Sequence, residues 1–109
     1  MALNNFLRVE LVNAQTLVVH GETIDDGVPA NLGPQAQIFV AVISQADPDN
    51  RASPPVDDPS VSPWTARTDV HHFNAGDEVF AVGSAAAQPG DTPFLWADDF
   101  TVEPAATAK

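Results

Sequence analysis

Two histidines of this chain stand two residues from a carboxylate, in His20-Gly21-Glu22 and in Asp69-Val70-His71. Residues two apart on an extended chain project from the same side, so each pair would offer an imidazole and a carboxylate on one strand face. If the strands carrying them are neighbours, His20, Glu22, Asp69 and His71 form a set suited to zinc or another divalent transition metal, with water completing the shell. The competing reading is that wet sheet faces carry cross-strand polar pairs in any case, with Arg67 neutralising the carboxylates. A further use of the same residues is His71 as a general base oriented by Asp69, as in a small hydrolase. His72 falls on the parity of Trp64 and Val70 and is expected to be buried with one hydrogen-bond partner.

Other chemistries lack their residues. Ser84 lies in Gly83-Ser84-Ala85, without the second glycine or following helix of a nucleophile elbow. The only lysine is Lys109, so no glycine-rich loop carries the cation of a phosphate cradle. The run from Asp47 to Asp58 begins like a calcium loop, but Arg51 and Ala52 stand where a fifth-position oxygen ligand and a sixth-position glycine belong. A looser calcium site at Asp57 and Asp58, or at Asp25 and Asp26, competes with the simpler role of solvated turn aspartates. Trp64 and Trp96 could stack on a sugar ring if exposed. Both lie on the apolar parity of their segments, which makes them core residues first. No cofactor is expected beyond the divalent metal that the His20 set would hold.

Fifteen Asp and Glu face four Lys and Arg in 109 residues, a net charge of −11. Phosphate backbones and anionic lipid would repel such a surface, so nucleic acid and membrane are excluded as expected partners and basic surfaces or cations are favoured. With no cysteine, disulfide frameworks and thiolate chemistry are absent and packing alone must hold the fold. Met1 to Leu7 has no basic region followed by an apolar run, and no stretch reaches the roughly 18 apolar residues of a membrane span. The expectation is a soluble chain of undetermined compartment, compatible with a virion or another assembly.

The elements that must position these residues follow a period of two. Leu7, Val9 and Leu11 alternate with Arg8 and Glu10; Leu17 and Val19 alternate with Thr16, His20 and Glu22, Val18 being the exception. Gly21 reads as a bulge. Residues 25–34 hold Asp-Gly, Gly-Pro and prolines and read as a long connection. Ile38 to Ile43 is apolar on both parities, the pattern of a central strand covered on both faces. Residues 46–63 contain five of the ten prolines and read as a long Pro/Asp-rich loop. Further strands are expected over 64–73, from Val79 into Ala87, and from Phe94 to Val102, where Asp98 sits on the apolar parity and a bulge at Asp98-Asp99 would re-aim it.

Six to seven short strands separated by Gly, Pro, Asn and Asp turns, with no amphipathic helix, specify an all-β chain. The expected fold is one antiparallel β-sandwich domain over 1–109, immunoglobulin-like or jelly-roll-like. The functional expectation is a non-catalytic binding or assembly module, a structural subunit, decoration or adaptor that meets a protein partner or a second copy of itself. A ligand-binding domain for a divalent metal or a carbohydrate is the alternative, and a small hydrolase ranks last.

Overall fold

A computed structural model of the chain describes residues 2–13, 15–25, 28–29, 35–86 and 88–104. Among the described residues the alternation seen in the sequence becomes eight strands: β1 (Ala2–Val12), β2 (Thr16–Asp25), β3 (Val28–Pro29), β4 (Gln37–Ser44), β5 (Arg51–Ala52), β6 (Trp64–Thr68), β7 (Glu78–Ala86) and β8 (Phe94–Thr101). Six have five residues or more; β3 and β5 have two each. No helix occurs among the described residues, hence none long and apolar enough to cross a membrane.

All the strand pairings are antiparallel. In the first sheet β2 lies between β1 on one side and β6 and β3 on the other; the second runs β5-β4-β7-β8. The chain stays in one sheet for β1-β2, β4-β5 and β7-β8 and crosses to the other between β3 and β4, β5 and β6, and β6 and β7. This is the Greek-key order of an immunoglobulin-like sandwich. The one-face periodicity forces two layers, because each sheet must bury its apolar side against the other. After β8, Val102 is buried and Glu103 pairs in parallel with Glu10 of β1, with Leu11 N–H donating to Glu103 O at 3.0 Å and Glu103 N–H to Val9 O at 2.9 Å.

The core is organised by two indoles. Trp64 pairs directly with Gly21 across β6 and β2, and Trp96 pairs with Gly83 across β8 and β7. Each ring lies over its glycine: a Cβ built on Gly21 would come within 2.2–2.6 Å of the Trp64 ring, and one on Gly83 within 2.4–2.6 Å of the Trp96 ring. The rings meet across the sandwich at 6.3 Å, edge to face, and Phe6 sits against both, at 6.1 Å and 5.1 Å. Glycine weakens a strand by roughly 0.5–1 kcal/mol, whereas burying an indole of about 200 Å² contributes about 5 kcal/mol as an upper figure. The glycines are therefore favourable where they stand. Trp64 Nε1 donates to Thr23 Oγ1 at 3.2 Å and Thr23 Oγ1 donates to Asn4 Oδ1 at 2.6 Å, so the buried polar groups around Trp64 satisfy one another.

Several expectations are corrected here. The bulge lies in β1, between Phe6 and Arg8, and not at Gly21, which faces Phe6 where that bulge begins. The β7–β8 ladder runs without a shift from Ala85↔Phe94 to Glu78↔Thr101, so Asp98 does not bulge. Its side chain reaches solvent because β8 is an edge strand. β6 ends at Thr68 rather than 73, and His72 is exposed, its backbone carbonyl accepting from Asn50 Nδ2 at 3.2 Å. Residues 46–63 are not a bare loop. Arg51 and Ala52 pair with β4, Pro54 is fully buried, and Pro55 and Val56 bridge to Phe39 and Ala66, so the segment stitches one sheet to the other.

Ala would normally suit a strand better than Gly, but here the added methyl must displace an indole. Gly83→Ala and Gly21→Ala are each expected to cost about 1–3 kcal/mol in urea unfolding, and shrinking the ring with Trp64→Phe in the Gly21→Ala background should return part of that loss.

Candidate binding surface

Strand β4 is apolar on both parities, but only one of them is covered. Ile38, Val40 and Val42 enter the core, while Phe39 is 66 % exposed and Ala41 and Ile43 are half-buried on the outside. A sandwich of two layers has no third layer to cover that side. The same happens on β7 and β8, where Phe80 and Leu95 point outward, Leu95 at 68 % exposure. Register sets these residues in rows across the sheet: Phe39, Ser84 and Leu95; Ala41, Val82 and Ala97; Ile43, Phe80 and Asp99. Beyond Phe80 the row is Glu78 and Thr101.

One end of this face forms a groove of about 390 Å³ lined by Phe39, Ala41, Pro54, Pro55, Val82 and Leu95, with Ser84 between Phe39 and Leu95. At the other end Glu78 and Asp99 line a separate hollow of about 210 Å³ with Gln45 and Thr101. The face therefore grades from apolar to acidic along the strands. Its only arginine, Arg51 at the β5 edge, is turned back, with Nε and Nη2 donating to Pro48 O at 3.1 and 2.8 Å.

The outer face of the first sheet holds the polar cluster. Strands β2 and β6 are neighbours, as the metal reading required, but their register pairs His20 with Thr65 and Gly21 with Trp64. His20 Nε2 lies 2.6 Å from Glu10 Oε1, and Arg8 Nη2 donates to the same oxygen at 3.3 Å. Glu22 lies two residues along that face, opposite Asn5. Asp69 accepts from Thr16 Oγ1 at 2.6 Å, and His71 Nε2 reaches Gln15 O at 2.6 Å while its Nδ1 accepts from Phe73 N–H at 3.0 Å. Those bonds fix the His71 proton on Nε2 and point Asp69 and His71 at different partners. Among the described residues no group of three or more His, Asp and Glu is placed to hold a metal, so the expected set of His20, Glu22, Asp69 and His71 is not brought together. The contact of His20 with Glu10 is a cross-strand diagonal, Arg8 standing opposite His20 and Glu10 opposite Val18 in the register that runs unbroken from Val12↔Thr16 to Arg8↔His20, and spacing along a single strand does not reveal it.

Val18, the parity exception, is 2 % exposed on this outer face and flanked by Glu10 and Arg67, whose aliphatic stems can close over it. Asp57 takes Thr65 N–H and Oγ1 and the Asp58 amide, and Asp58 takes Ser60 N–H and Oγ, so both carboxylates act as loop acceptors. Asp25 and Asp26 lie outside the residues whose side chains are described. Trp64 is 1 % exposed and offers no ring face to a sugar; Trp96 is half-buried against Gly83 and Phe6.

Comparison of the chain with protein-family models, with curated proteins and with solved structures finds no match. The surface must be read from its own chemistry.

Burial pushes the Glu10 carboxyl up, but the His20 hydrogen bond and the Arg8 charge outweigh it and hold the group below its ordinary 4.5. Burial opposes the Asp57 carboxylate too, and the Thr65 and Asp58 bonds hold it below its ordinary 3.8. A carboxyl with a lowered folded pKa contributes stability that is whole above its unfolded pKa and is lost as pH falls through the folded value. The melting temperature should therefore hold steady from neutrality down to the ordinary carboxylate range and fall below it, and Glu10→Gln should flatten part of that fall.

Edge strand β8 carries Asp98 on its inward parity, opposite Ala81, and an inward-pointing charge is a device that keeps edges from pairing with other chains. Asp98→Val is expected to leave the fold intact by circular dichroism and to produce dimers or aggregates in light scattering, where the native chain shows fewer.

Proposed function

We propose that this chain is a non-catalytic β-sandwich module that works by binding or assembly, and that it binds through the outer face of β5-β4-β7-β8. The observation that carries the reading is the exposed pair Phe39 and Leu95, with half-buried Ala41 and Val82 in the next row, continuous with the groove against Pro54 and Pro55. The largest apolar patch of a small monomer, typically about 300–600 Å², is often its functional surface. The other edges support a face rather than a strand-pairing mode: the β4 edge is overlaid by β5 and by Pro54-Pro55, and β8 carries Asp98 and Asp99.

Phe39 and Leu95 are exposed, so Phe39→Ser and Leu95→Ser should each change stability by no more than about 0.5 kcal/mol while removing the contact surface. With the native chain and the double variant as paired baits, and with sedimentation of each alone, any species that depends on this face, a partner or a second copy, should be retained by the native chain and lost by the variant. Identical behaviour of the two in both measurements would sink the reading.

A further inference from the structure

Resting on that reading, we infer that the occupant of the face is a short extended segment of a partner protein that carries apolar anchors and, about 13 Å further on, a lysine or arginine. The grade along the strands sets the order of these groups. Phe39 and Leu95 stand in one row and Asp99 four residues along β8 from Leu95, which at about 3.3 Å per residue is about 13 Å. Glu78 and Asp99 line one hollow, and neither belongs to an ion pair among the described residues, where the ion pairs are Arg8–Glu10 and His20–Glu10. Their charge awaits a cation, and a chain of net charge −11 would draw one in by its summed field.

Size and charge rule against a second copy as occupant. Three strand spacings of about 4.8 Å by six rises of about 3.3 Å give a face on the order of 300 Å² before side-chain margins. A standard interface takes about 800 Å² from each partner, and two copies would bring two sets of eleven net negative charges together. A segment needs less area.

The conformation follows from the ladder. β7 is paired on both sides, and β4 is paired with β7 along its length and on its other side with β5 at Val42 and Ile43 and with Pro55 at Phe39, so the face offers mainly side chains. A segment lying on it must keep its own backbone in water, as polyproline II does at about 3.1 Å per residue; about four such residues separate the anchor from the cation. Docking of proline-rich segments on aromatic and apolar grooves is an established mode of this physics.

The test uses a fluorescent synthetic peptide, proline-rich, with leucine anchors and an arginine four residues on, and its twin with glutamate at that position. By anisotropy at moderate salt the arginine peptide should bind at least about tenfold more tightly than its twin. Phe39→Ser and the pair Glu78→Gln with Asp99→Asn should each weaken it by about tenfold. The pair Glu22→Gln with Asp69→Asn, which removes the same charge from the first sheet, should leave it within about twofold. No binding, or equal weakening by both charge pairs, overturns the inference. If both peptides bind equally and Phe39→Ser abolishes both, the charge requirement is wrong while the binding face stands. A dimer of the native chain that Phe39→Ser dissociates would assign the face to a second copy and overturn it as well.

Discussion

The fold turns on indole rings laid across glycines. Trp64 over Gly21 and Trp96 over Gly83 are direct cross-strand pairs, one in each sheet, and each ring occupies the space a Cβ would need. Slipping either strand by one residue would send the indole to the outer face and by two would drive it onto a side chain. The contacts therefore lock register in both sheets, and Phe6 between the rings ties those registers to β1. The Thr16–Asp69 bond and the place of β8 in the outer rows depend on that lock.

How far the sequence could be read varies with what each element needs. The long alternating strands were legible because period two depends only on local geometry, and the adjacency of β2 and β6 followed from the commonest arrangement of that many strands. Register was not legible. β6 has five residues, and nothing short of the Trp64–Gly21 contact distinguishes its pairings, so His20 and His71 could be drawn together on paper and are held apart in the fold. The exposed apolar face left a clear signal in Ile38 to Ile43 and Val79 to Val82, apolar on both parities. A chain of this size builds only two layers, so a strand apolar on both sides must show one of them to solvent.

The acid excess divides by geometry. Asp47, Asp57, Asp58 and Asp77 accept backbone N–H groups of their own turns and loops, the ordinary work of aspartate where a strand ends. Asp98, on an otherwise apolar parity, accepts the next amide and faces solvent at the sheet edge. Glu78 and Asp99 differ from these in sharing a hollow at the end of an apolar face. Net charge describes the first group well and the last poorly.

The parallel contact of residues 102–103 with β1 carries a mechanical consequence. β1 enters the domain and the segment after β8 leaves it in the same direction, joined by the Leu11–Glu103 and Glu103–Val9 hydrogen bonds. Tension drawn through the two ends of such a module pulls these neighbours past each other lengthwise, so the bonds bear load together in shear and do not open one after another like a zip.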